Sequence, residues 1–145
     1  MQMIDRRTDS VGYLVNWAAR LLTRALERRL AGGSPGPMPV YYALYDGAAL
    51  PQRDLAQFAA VEQPTMANTL ARMERDGLVT TRPDPKDGRS RLIELTPLGR
   101  ERAQVGLAAA GATNRLALEA LTADEAPVFM DMLRRVVAHL EADQP

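Results

Sequence analysis

The chain has 145 residues, of which 46% are hydrophobic and 25% charged, a balance typical of one soluble globular domain. Its 18 basic and 18 acidic residues cancel, which excludes a uniformly basic protein but leaves room for a locally basic face. The absence of cysteine excludes thiol chemistry, and a single histidine disfavours a histidine-ligated metal site. The N-terminus is charged where a secretory signal would be apolar, and the longest uncharged run, residues 30–45, is broken by proline and glycine. We therefore expect a cytoplasmic protein with no membrane span, no metal and no cofactor.

The charge is distributed unevenly along the chain. Residues 1–102 carry 15 basic and 12 acidic side chains, whereas residues 103–145 carry 3 basic and 6 acidic ones. All the basic residues except Lys86 are arginines. Arginine suits bidentate contacts with phosphates and guanines, so the first part of the chain is the candidate for a nucleic-acid surface.

The N-terminal third predicts two helices joined by a connector. Apolar residues recur every three or four positions over Ser10–Leu30, which indicates a long amphipathic helix. The glycine- and proline-rich stretch Ala31–Pro37 cannot continue it. A short helix over Pro39–Tyr45 follows, and Asp46-Gly47 ends it.

Two further helices, separated by only four residues, come next. We predict the first over Gln52–Ala59, with Leu55 and Phe58 facing inward. Pro64 opens the second, which runs to about Asp76 and ends at Gly77. Its core face is predicted to consist of Met66, Leu70 and Met73.

The next segment predicts a β-hairpin. The extended runs Leu78–Arg82 and Arg91–Leu95 flank a turn-rich tip over residues 83–90. Thr96-Pro97 is typical of a helix start and predicts a long helix to about Leu121.

A capping box opens the last predicted helix at Thr122–Glu125. Its apolar stripe comprises Phe129, Leu133, Val136 and Leu140. The stripes of the first and last helices are larger than the middle of the chain could cover. We therefore expect a homodimer, in which these stripes are buried against a second copy.

This order of elements predicts a mainly α fold with a small β-hairpin wing, which is a winged helix-turn-helix. In such a unit the second helix of the pair enters the DNA major groove. Its polar side chains are candidates for contacts with bases and phosphates: Gln63, Thr65, Asn68, Thr69 and Arg72. The wing arginines Arg82, Arg89 and Arg91 suit the narrow, electronegative minor groove. Double-stranded DNA is therefore the expected partner.

Residues 63–99, QPTMANTLARMERDGLVTTRPDPKDGRSRLIELTPLG, resemble the MarR family of bacterial transcription regulators. The resemblance lies in the recognition helix, the Asp-Gly-Leu-Val exit at 76–79, the Asp-Pro-x-Asp-x-Arg wing at 84–89 and the Leu-Thr-x-x-Gly re-entry at 95–99. It implies that residues 38–95 form the winged helix-turn-helix unit, and that 1–31 and 97–145 hold a homodimer together. It further implies a repressor that leaves a pseudo-palindromic operator when a small, often phenolic, compound binds. The family's wing pair corresponds to Asp87 and Arg89, with Arg89 in the minor groove and Asp87 holding it in place. Members often carry arginine or serine where this chain has Ala67 and Asn68, so the base preference is not transferable.

Five side chains are candidates for an effector pocket. Most of the aromatic residues lie in the first two helices, and one arginine lies among them: Tyr13, Trp17, Arg20, Tyr41 and Tyr45. Aromatic walls and a guanidinium would suit an aromatic or acidic compound. Packing in the core or in a dimer interface is the alternative use for these aromatics.

Two other classes of function compete with a DNA-binding regulator. A winged-helix module used for protein–protein assembly, with no DNA partner, agrees with the zero net charge. An enzyme is disfavoured, because the chain has no cysteine, one histidine, no glycine-rich phosphate loop and no carboxylate cluster at metal spacing.

Overall fold

The computed structural model describes residues 8–145 and shows a mainly helical chain with one antiparallel hairpin. The elements in chain order are α1 (Val11–Arg29), α2 (Met38–Leu44), α3 (Gln52–Ala59), α4 (Gln63–Arg75), β1 (Val79–Asp84), β2 (Asp87–Leu95), α5 (Pro97–Leu118) and α6 (Glu125–Ala142). This confirms the predicted fold class. None of the helices in residues 8–145 has the length and apolarity that crossing a membrane requires.

The main hydrophobic core lies between residues 38 and 103. Met66, Leu70 and Met73 form its contribution from α4, as their spacing predicts, and are 2%, 7% and 1% exposed. At α5, Gly106 allows a close approach to α2, because a Cβ there would stand 2.9 Å from the sulfur of Met38. The middle of the chain therefore has a packed interior of its own.

The prediction that Phe58 faces inward is wrong, since this side chain is 58% exposed. The inner side of α3 is set by Leu55 and its neighbour Ala56, both of which are buried. Successive residues of an α-helix are rotated by about 100° about its axis. Phe58 therefore points roughly 110° away from the direction midway between Leu55 and Ala56. Ala59, which lies close to the midpoint, takes the inward place and is partly buried.

The hairpin tip is shorter than the predicted span of residues 83–90. The strands extend to Asp84 and begin again at Asp87, so that only Pro85 and Lys86 form the turn. The carboxylate of Asp84 accepts a hydrogen bond from the backbone N–H of Lys86 at 2.8 Å, and that of Asp87 accepts one from Arg89 at 3.0 Å. These bonds satisfy backbone donors that a longer loop would leave to solvent.

The end of α4 and the start of α5 meet in an α4–α5 junction formed by Gly77, Leu78, Thr96 and Gly99. The Thr96 hydroxyl donates to the Gly77 carbonyl at 2.6 Å and accepts from the Gly99 N–H at 3.0 Å. The Thr96 N–H also donates to the Leu78 carbonyl at 3.1 Å. A Cβ on Gly99 would collide with that carbonyl, so the first turn of α5 lies directly against the chain leaving α4.

The helices α1 and α6 are largely exposed in the single chain. In α1 only Ala25 is buried, and α6 has no buried residue. The predicted capping box is confirmed, because Thr122 and Glu125 exchange side-chain-to-backbone hydrogen bonds of 2.9 and 3.2 Å. The helix before it ends at Leu118 rather than at the predicted Leu121.

Candidate nucleic-acid interface

The outward face of α4 is polar and solvent-exposed. Thr65, Asn68 and Arg72 fall within roughly 60° of arc on the side opposite the buried methionines and leucine. Thr69 lies at the edge of this face and is half-buried, and its hydroxyl donates to the Thr65 carbonyl at 3.2 Å. The Thr69 methyl group and the lone pairs of its hydroxyl oxygen therefore remain available for contact with another molecule. The face therefore presents amide, hydroxyl and guanidinium groups, which are the groups that distinguish base pairs in the major groove.

Gln63 lies in the first turn of α4, outside this arc but exposed. Its carbonyl accepts a hydrogen bond of 3.4 Å from the Gln52 side chain, which links the start of α3 to the start of α4. Sequence reasoning did not find Gln52, because the contact joins residues eleven positions apart and depends on how the two helices pack.

The two faces of the wing separate the three predicted arginines. Arg89, Arg91 and the buried Ile93 occupy every second position of β2, so the two arginines share the wing face that turns towards α4. Arg82 pairs with Leu92 in the hairpin register and lies on the opposite face. There Arg82 Nε lies 3.3 Å from Glu94 Oε2, an ion pair that occupies part of its guanidinium.

Arg89 and Arg91 differ in their partners. Arg91 Nη2 donates to the Thr81 hydroxyl at 3.2 Å. Among the described residues, the Arg89 side chain has no ion pair with Asp87, whose carboxylate accepts from the Arg89 backbone instead. Asp87 therefore orders the main chain that carries Arg89 rather than its guanidinium.

A groove of about 470 Å³ runs between α4 and the wing. Ala67, Ala71 and Glu74 line it on the helix side, and Arg89 and Arg91 line it on the wing side. The two arginines that share the inner wing face thus stand next to the helix that carries Thr65, Asn68 and Arg72.

The five predicted effector residues occupy three places in the single chain. Tyr13, Trp17 and Arg20 line an open cleft of about 190 Å³ on α1, where the two rings meet edge to face at 6.1 Å. Tyr41 is buried and lines a different cavity, between α2 and α5. Tyr45 is the C-cap of α2 and is 44% exposed. No group of three or more histidine, aspartate or glutamate side chains in residues 8–145 is placed to hold a metal.

Comparison with known proteins assigns the chain to a family. The family model described as MarR family matches residues 40–90, from the third residue of α2 to the fourth residue of β2. The Escherichia coli O111:H- protein named transcriptional regulator HosA is 31% identical over 98 residues, or 68% of this chain and 73% of that protein. The chain belongs to the MarR family. It is a MarR-family transcription regulator with the winged-helix fold of that family, and the predicted resemblance is confirmed.

Similarity to other MarR-type regulators extends over nearly the whole chain. The HTH-type transcriptional repressor NicR of Pseudomonas putida is 26% identical over 134 residues, covering 90% of this chain and 84% of that protein. The crystal structure of the PcaV transcriptional regulator from Streptomyces coelicolor in complex with its natural ligand superposes with a TM-score of 0.81. It is 27% identical and covers 95% of this chain and 98% of that one. The terminal helices α1 and α6 therefore belong to the shared fold, although the family model does not reach them.

Proposed function

We propose that this protein is a homodimeric, sequence-specific DNA-binding repressor that leaves its operator when a small aromatic or acidic compound binds. The observation that carries the proposal is the exposed polar face of α4 beside the wing face that bears Arg89 and Arg91. Nothing in the described chain covers this surface. Side chains of α4 would contact base edges, and Arg89 and Arg91 would contact the minor groove and phosphates. The relative NicR is named a transcriptional repressor, which supports repression rather than activation for this chain.

The apolar faces of α1 and α6 support a homodimer. Large side chains on both helices are roughly half exposed, among them Trp17 at 48%, Phe129 at 46% and Leu140 at 57%. A monomer that exposed two such stripes would be prone to association, whereas a two-fold dimer covers the same surface on both copies. Two α4 helices related by that axis would enter successive major grooves, so the half-sites should lie about one helical turn apart.

The cleft on α1 supports the effector part of the proposal. Tyr13 and Trp17 supply aromatic walls, and Arg20 supplies a cation for an acidic group. In the dimer this cleft would lie next to the second copy, which would enclose a compound that the single chain leaves open to solvent. The PcaV regulator, whose structure contains its natural ligand, supports the proposal that this chain also binds a ligand.

The test is selection of bound duplexes from a random pool by the full-length protein. We expect enriched pseudo-palindromes, and Asn68→Ala should change the bases selected at one symmetric pair of positions. Asn114→Ala, the same change at an exposed position of α5, is the matched control and should select the parental sequence. Enrichment of no sequence, together with DNA affinity that does not fall as salt rises, would favour the winged-helix assembly module instead.

A further inference from the structure

The groove between α4 and the wing contains charged side chains of opposite sign. Glu74 lies on its helix side, and Arg89 and Arg91 lie on its wing side. The other lining residues are uncharged, among them the small Ala67 and Ala71. One carboxylate therefore shares a space of about 470 Å³ with the two guanidinium groups that are proposed to contact DNA.

The helix itself does not account for a glutamate at position 74. Glu74 is the second-to-last residue of α4, where the carbonyl end of a helix disfavours a negative charge. A cation on the same helix would pair with it from three or four positions away. Those positions hold no cation, because they are Leu70, Ala71, Gly77 and Leu78. The cations that share the groove with Glu74 are the two arginines of the wing.

These charges have no other ionic partner in the part of the chain that the structure describes. Glu74 is exposed and makes no ion pair there, and Arg89 and Arg91 make none either. Arg75, the next residue along the chain, is paired with Asp76 at 3.1 Å. The carboxylate and the two guanidinium groups thus stand on opposite sides of the groove, free to meet when their side chains rotate.

We propose that Glu74 is an internal counter-ion of Arg89 and Arg91 and competes with DNA for them. Exposed side chains change rotamer within nanoseconds, so the carboxylate and a guanidinium would pair transiently across the groove of the free protein. A phosphate or the narrow minor groove offers the same guanidinium a partner in a stronger electrostatic field. DNA would displace Glu74, and the free energy needed to separate the pair would reduce the affinity.

This competition would act on every DNA sequence, and it rests on the proposed function of the same surface. Beside bound DNA, the freed carboxylate of Glu74 would repel phosphates and retain a cation from solution. Fewer ions would then be released on binding, and the affinity would depend less steeply on salt. The consequence is a shorter residence on non-specific DNA, at the cost of some affinity for the operator.

The first test measures the affinity for a random-sequence duplex by fluorescence anisotropy over a range of salt concentrations. Glu74→Gln should raise the affinity about three- to tenfold at the lowest salt. It should also steepen the slope of log K against log salt by about 0.5 to 1. Glu101→Gln, which removes the same charge from an exposed position of α5 outside the groove, is the matched control. This control should raise the affinity by less than about 1.5-fold, because a distant charge is screened.

A double-mutant cycle tests whether the two arginines mediate the effect. In a protein that already carries Arg89→Gln and Arg91→Gln, Glu74→Gln should raise the affinity no more than Glu101→Gln does. A gain for Glu74→Gln that only equals the control in the parent background would overturn the proposal. A gain that persists at full size without the two arginines would also overturn it.

The pairing is tested without DNA by NMR of the arginine Nε–Hε groups in ¹⁵N-labelled protein. The signals of Arg89 and Arg91 are assigned with Arg89→Lys and Arg91→Lys. At least one of them should shift in Glu74→Gln, and both should stay in place in Glu101→Gln. Unmoved signals in Glu74→Gln would overturn the proposal. A parent protein that binds no duplex at any salt concentration would refute the proposed function, and the NMR signals would still decide whether Glu74 pairs with the wing.

Discussion

The close contact at Gly99 leads to a prediction about stability. In Gly99→Ala the new methyl group would collide with the Leu78 carbonyl oxygen and stand 2.9 Å from its carbon, and both are backbone atoms with no rotamer to change. Relieving the collision requires α5 to move away, which costs about 2 kcal/mol as overpacking. It also lengthens the Thr96 N–H bond to the same carbonyl, which contributes about 1 kcal/mol. Because alanine favours the helix by at most about 1 kcal/mol, we expect a net loss of about 2 kcal/mol.

Gly111→Ala is the matched control, because it places the same change in the same helix without the collision. The nearest atom to its new methyl would be Arg115 Nη1 at 3.7 Å, the end of a flexible side chain. This variant should gain about 0.5 to 1 kcal/mol from helix propensity. The assay is equilibrium urea unfolding at one fixed protein concentration, since the stability of a dimer depends on concentration. A Gly99→Ala protein as stable as the parent, or a Gly111→Ala protein that loses as much, would refute the reasoning about the junction.

Three further predictions concern the surface. Arg89→Ala should weaken operator binding by about 1 to 3 kcal/mol at matched salt, whereas Arg82→Ala, whose side chain pairs with Glu94 on the other wing face, should cost less than about 0.5 kcal/mol. Binding titrations by fluorescence anisotropy compare the two, and equal losses would contradict the assignment of the wing faces. Deleting α6 from Thr122 onwards should yield a monomer in analytical ultracentrifugation, and a persistent dimer would exclude α6 from the interface. Phe58→Ser should change the urea midpoint very little, by less than about 0.5 kcal/mol, and a loss like that of a buried phenylalanine would mean that Phe58 is covered in the folded protein.

The sequence predicts the helices and the capping positions well because each depends on local rules. The spacing of Met66, Leu70 and Met73 identifies the buried side of α4, and Thr96 caps α5 as its place before proline indicates. Phe58 is different, because α3 has only eight residues and two arrangements of its apolar positions fit a helix that short. Its buried side is decided by packing against α4, which no local pattern records.

The candidate site was predictable in its residue types and less so in its geometry. The arginines of the wing are evident from the sequence. Assigning Arg82 to one face of the hairpin and Arg89 and Arg91 to the other requires the pairing register of the two strands. The hydrogen bonds of Asp84 and Asp87 in the turn fix that register. The effector residues could not be grouped from the sequence. Tyr41 lies against α5, more than fifty positions away along the chain, whereas Tyr13 and Trp17 remain on the exposed side of α1.

The α4–α5 junction has a geometric consequence for any change in the tilt of α5. The junction holds the C-terminal end of α4, whereas Gln63 and Thr65 lie at the opposite end of this 13-residue helix. At 1.5 Å per residue the helix works as a lever about 20 Å long, so a rotation of roughly 10° at the fixed end would displace the far end by about 3 Å. A displacement of that size exceeds the tolerance of a hydrogen bond. A small change in the tilt of α5 would therefore cause a larger displacement at the N-terminal end of α4, where contact with a base edge is made or lost.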